Sequence, residues 1–121
     1  MNEHRTVTIR QDTDVIVARS RVRDLARKVG LRVIDQARIS LATSCLARAL
    51  GLGLDRQGQI AVGCLTKDGR VGVQVVCSTM GDLHGDVSRS ALDDARHMVD
   101  ELILVKIAAS DVQVTLIKWA T

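Results

Sequence analysis

At 121 residues the chain has room for one domain with a substantial core, taken as residues 1–121, and not for two. No stretch approaches the roughly 20 uninterrupted apolar residues of a membrane span, and the N-terminal MNEHRTVTIR lacks the apolar centre of a signal peptide, so the expected location is the cytoplasm. The net charge of +3 is uneven, with 10 Lys/Arg against 5 Asp/Glu in residues 1–50 and 7 against 9 beyond, and Trp119 is the only aromatic side chain apart from histidine. A basic surface without a stacking platform points to an acidic protein partner and away from nucleic acid.

Residues 5–10 alternate polar and apolar around Val7 and Ile9, which predicts a strand with one buried face. Asp12 and Asp14 then offer helix caps. Val15, Ala18, Val22, Leu25 and Val29 follow at helical spacing, and Gly30 is a natural stop. Arg19, Arg23 and Arg27 lie off that stripe and form a basic outer face. A second helix runs from Val33 to about Leu50, with Ile34, Leu41, Cys45 and Leu46 among its apolar positions. Residues 59–66 and 70–77 read as strands, and Asp68-Gly69 between them signals a tight hairpin.

Residues 78–86 read as a polar loop, after which Ser90 and Asp93 suggest a capping box. Asp93 and Asp94 suit the positive end of a helix dipole. Leu92, Ala95, Met98, Val99 and Leu102 mark a third helix, and two strands follow at 103–108 and 112–119. The order β-α-α-β-β-α-β-β predicts an α+β two-layer sandwich, a mostly antiparallel mixed sheet with three helices on one face. Cys45, Cys64 and Cys77 have no metal-ligand spacing, so buried free thiols and no metal site are expected. His84, in the polar loop, and His97, opposite the apolar stripe, read as solvated surface residues.

Within the second helix, Ile34-Asp35-Gln36-Ala37-Arg38-Ile39-Ser40 is followed by Ser44-Cys45-Leu46-Ala47-Arg48-Ala49. This run resembles the switch-kinase branch of the anti-sigma-factor serine/threonine kinases, whose helix reads VDQARI and then an SELARN-like segment. Gly58-Gln59-Ile60, the strand before residue 78 and the ending Val114 to Trp119 extend the likeness over nearly the whole chain. The resemblance implies the GHKL, or Bergerat, ATPase fold.

The departures from that family bear on function. The family has glutamate, its general base, where Cys45 stands, and asparagine, a Mg²⁺ ligand, where Ala49 stands. A thiol is a poor carboxylate substitute near neutral pH, and a methyl group coordinates nothing. The aspartate that receives the adenine amino group in the family falls on Ser78 or Thr79, with Gly81 keeping the glycine character of that loop; a hydroxyl could still accept such a bond. The family's glycine-rich phosphate lid has no room between Gly85 and the third helix.

The expectation is a non-catalytic pseudo-kinase with no catalytic residues and no cofactor. It would act in a bacterial partner-switching pathway by binding a STAS-domain protein, a PP2C-type phosphatase or a sigma factor, with Arg19, Arg23 and Arg27 as the contact face. A homodimer is a further possibility. The alternative is an active kinase that binds ATP and Mg²⁺ weakly and phosphorylates STAS-domain antagonists.

Overall fold

The computed structural model describes residues 4–54, 56–80, 89–106 and 112–120. The elements are β1 (His4–Ile9), α1 (Asp12–Val29), α2 (Val33–Ala49), β2 (Gln57–Lys67), β3 (Arg70–Met80), α3 (Arg89–Arg96), β4 (Glu101–Lys106) and β5 (Val112–Ala120). This is the expected α+β order. The strands form one sheet in the order β1-β2-β3-β5-β4. Every neighbouring pair is antiparallel, so the expected mixed sheet is corrected to a purely antiparallel one. The reason is topological: β4 runs in the direction of β3, but β5 lies between them.

Local chemistry explains most boundaries. Asp14 closes the start of α1 by accepting the backbone N–H groups of Arg10 (2.9 Å) and Gln11 (3.1 Å), and these bonds lower its pKa. Asp12, the other expected cap, is instead the first helical residue. Gly30, with φ 94°, ends the helix. Asp68 (φ 53°) and Gly69 (φ 78°) both take the left-handed conformation that a two-residue type I′ hairpin requires, which sets the register of Lys67 opposite Arg70.

The core lies between the helices and one sheet face. Ala18, Val22 and Leu25 of α1 and Ile39, Ala42 and Leu46 of α2 join Ile60, Val62, Val73, Val75, Cys77, Val114 and Leu116 in one cluster. On α2 the buried set differs from the expected stripe. Ile34 and Leu41 are exposed, whereas Ile39, Ala42, Thr43 and Ala47 are buried. This helix packs against α1, α3 and the sheet at once, so small residues on several faces are covered and no single apolar stripe develops.

The third helix is shorter than predicted. It ends at Arg96; Met98 and Val99 follow in a turn, and Leu102 belongs to β4, although all three still pack on the core. The sheet captures the chain there: Asp100 N donates to Ile117 O (2.9 Å), and the Asp100 carboxylate accepts Trp119 N (2.7 Å) and Lys118 Nζ (3.1 Å). Strand pairing therefore overrides a helical period that continues in the sequence. Ser90 lies inside α3 rather than at its cap, and Asp93 and Asp94 fall beyond its first turn, which carries no acidic residue. His97 is exposed, with Nδ1 2.6 Å from Asp93 O; His84 lies outside the described residues.

Candidate functional site

The helix α2 run with the strongest sequence signature is held in place by ion pairs and backbone contacts. Asp35 is buried, and its carboxylate accepts Arg32 Nε (2.9 Å) and Arg38 Nη1 (3.4 Å) and lies 3.7 Å from Lys118 Nζ on β5. Lys118 also pairs with Asp100 at 3.1 Å. Burial by itself would raise the Asp35 pKa. The Arg32 hydrogen bond and the charges of Lys118, Arg32 and Arg38 outweigh it and hold the carboxyl below its ordinary value. Gln36 Nε2 donates to Leu31 O (2.9 Å) and ties down the link from α1. The two sequence runs farthest apart in the likeness, around Asp35 and around Lys118-Trp119, thus meet in one clasp.

Trp119 faces the other side of the sheet. Arg70 lies 4.3 Å above its ring, and its Nε1 donates to Glu101 at 3.0 Å. Gly72, its partner across β3, leaves the space: a Cβ there would come within 2.9 Å of the Trp119 ring and 2.7 Å of Lys118 O.

The positions the family likeness assigns to a nucleotide site fall as follows. Cys45 and Ala49, four residues apart on α2, are both buried, with Arg48 Nη2 3.9 Å from Cys45 Sγ. Ser78 and Thr79 are not in a loop, as the sequence reading had it, because β3 continues to Met80. Strand alternation sends them to opposite faces. Thr79 is on the buried, helix-facing side with Val75 and Cys77, and its hydroxyl accepts Val112 N (3.0 Å) and makes a longer contact of 3.4 Å to Val112 O. That hydroxyl already serves β5. Ser78 is half-buried on the face carrying Val76 and Gln74. Gly81 lies outside the described residues.

Arg19, Arg23 and Arg27 are exposed along one side of α1, with Arg27 paired to Asp24 at 3.2 Å. Cys45 and Cys77 are buried, as expected, whereas Cys64 is only half-buried. Burial pushes the Cys77 thiol up to about 12. Sequence reasoning missed the Asp35–Lys118–Asp100 network. The one available signal was an acidic residue on an otherwise covered helix, since a buried carboxylate needs partners.

Element order, the DQARI helix and its clasp to the terminal strand carry the likeness of this chain to the anti-sigma-factor serine/threonine kinases. The chain is similar to serine/threonine-protein kinase RsbT of Bacillus subtilis (strain 168), with 27% identity over 98% of each chain. No family model matches it. Among the described residues, no helix is long and apolar enough to cross a membrane.

Proposed function

We propose that this protein is a non-catalytic, cytoplasmic regulator of a bacterial partner-switching pathway, acting by protein–protein binding on a GHKL-type domain that spans residues 1–121. The observation that carries the reading is the state of α2: Cys45 and Ala49 are buried without a carboxylate or amide oxygen at either place. Those two side chains do not fit a Mg²⁺–nucleotide. A thiol and a methyl supply neither a general base near neutral pH nor a hard oxygen ligand. The Thr79 hydroxyl supports the same reading because it is buried and already accepts Val112 N.

The partners that fit are a STAS-domain protein, a PP2C-type phosphatase or a sigma factor, met by the exposed Arg19, Arg23 and Arg27. Calorimetric titration with ATP or ADP and Mg²⁺ tests the reading directly. No heat up to millimolar nucleotide is the expected result; micromolar, Mg²⁺-dependent binding overturns it. The second reading, an ATP-dependent serine/threonine kinase acting on STAS-domain antagonists, draws on one observation, that the 27% identical relative is named a serine/threonine kinase. Phosphotransfer to such a substrate would establish it.

A further inference from the structure

Two clefts run side by side between α1 and the outermost strand, β1. The larger, about 560 Å³, is lined by four consecutive strand residues, Arg5, Thr6, Val7 and Thr8, and by Val17 and Arg21 of α1. The smaller, about 140 Å³, continues it past Arg5 and Arg21 to Asp24, Leu25 and Lys28, with Val62 of β2 at its base. The helix residues Val17, Arg21, Asp24 and Lys28 stand at i, i+4, i+7 and i+11, one stripe about 16 Å long at 1.5 Å per residue. The six residues of β1 span about 20 Å. The groove therefore follows the length of the strand.

β1 pairs on one side only, with β2, so among the described residues its other edge offers backbone N–H and C=O groups to an incoming strand. The charges beside that edge are selective. Arg5 and Arg21, shared by both clefts, are exposed and have no ion-pair partner among the described residues, while the one acidic lining residue, Asp24, pairs with Arg27. Val17 adds an exposed apolar contact, at 45% exposure.

We infer that this groove takes an extended, acidic segment of a partner protein, which adds a sixth strand at β1 and sets its carboxylates against Arg5 and Arg21. Main-chain pairing supplies affinity and the two guanidinium groups supply the preference for acid. This deepens the partner-binding reading by naming a surface separate from the Arg19, Arg23 and Arg27 face. It can fail while a partner still binds at that face.

The test uses the full chain and a fluorescein-labelled peptide of alternating glutamate and valine, EVEVEVE, read by fluorescence anisotropy. A peptide with proline in place of valine, EPEPEPE, has the same charge but loses every second backbone N–H and is held near a φ of about −65°, which disfavours strand pairing. Saturable binding of the first peptide is expected, weakened about tenfold or more in the Arg5→Glu/Arg21→Glu variant and changed less than about twofold in Arg19→Glu/Arg23→Glu. The β1 amides that point away from β2, every second residue of the strand, should gain protection from hydrogen exchange on binding. Absence of binding, equal binding of the proline peptide, equal loss in both variants, or unaltered β1 exchange would each overturn the inference.

Discussion

At the residue scale, the buried Asp35 is the most consequential ionisable group. Its pKa is held down in the folded state, so it contributes stability above the unfolded carboxyl value of about 3.9, and that contribution is lost as pH falls through the lower folded value. Asp35→Asn should cost about 2–3 kcal/mol at neutral pH, by removing charge-assisted bonds from a covered site. It should also flatten the acid limb of a urea-unfolding series from about pH 5 downward. An unchanged acid limb would assign the acid sensitivity to other carboxylates such as Asp14. Thr79→Val should cost about 1–3 kcal/mol, because Val112 N is left buried without an acceptor. The sequence identified Thr79 as a polar residue near a strand end; which hydrogen bond it makes depends on a neighbour 33 positions away.

The double variant Cys45→Glu/Ala49→Asn separates chemistry from packing at the same scale. These substitutions put a carboxylate and an amide into covered positions, so a lowered melting temperature is expected, with no calorimetric signal for ATP. Micromolar nucleotide binding by this variant would mean that these two side chains were the only obstacle. Toward an aromatic disulfide reagent at pH 8, half-buried Cys64 should react first. Cys77 should stay inert until the protein unfolds.

At the element scale, the sheet is protected unequally at its two ends. β4 pairs among the described residues only with β5, and it exposes Ile103, Leu104 and Val105 at 41–49%. An apolar edge of this kind favours self-association. Val105→Lys should leave thermal stability nearly unchanged and reduce concentration-dependent light scattering; undiminished scattering would place self-association elsewhere. Gly72→Val should be strongly destabilising, because its side chain would enter the space held by the Trp119 ring and Lys118 O. The helical period running through Met98 and Val99 into Leu102 shows what periodicity omits: apolar residues at helical spacing also suit a turn and a strand when a neighbouring strand captures the backbone.

At the scale of the whole molecule, α1 presents two basic surfaces, the outward Arg19, Arg23 and Arg27 side and the Arg5–Arg21 groove beside β1. Reversing Arg19 and Arg23 should markedly weaken binding of an acidic partner at the first surface, measured by pull-down and calorimetry with STAS-domain, phosphatase and sigma-factor candidates. Unchanged affinity would eliminate that face. Weakening by added salt should accompany binding at either surface.

By itself, the sequence determined the features that rest on local chemistry: the order of the eight elements, the Asp68-Gly69 turn, the Gly30 stop, the core stripe of α1, and the thiol and methyl side chains at positions 45 and 49. Backbone preference and side-chain identity act over a few residues and are legible there. Tertiary structure alone decided the position of β5 between β3 and β4, the multi-sided burial of α2, the faces taken by Ser78 and Thr79, the clasp between Asp35 and Lys118, and the groove along β1. Each depends on which distant segment packs alongside, and a period of 3.6 or 2 carries no information about that neighbour.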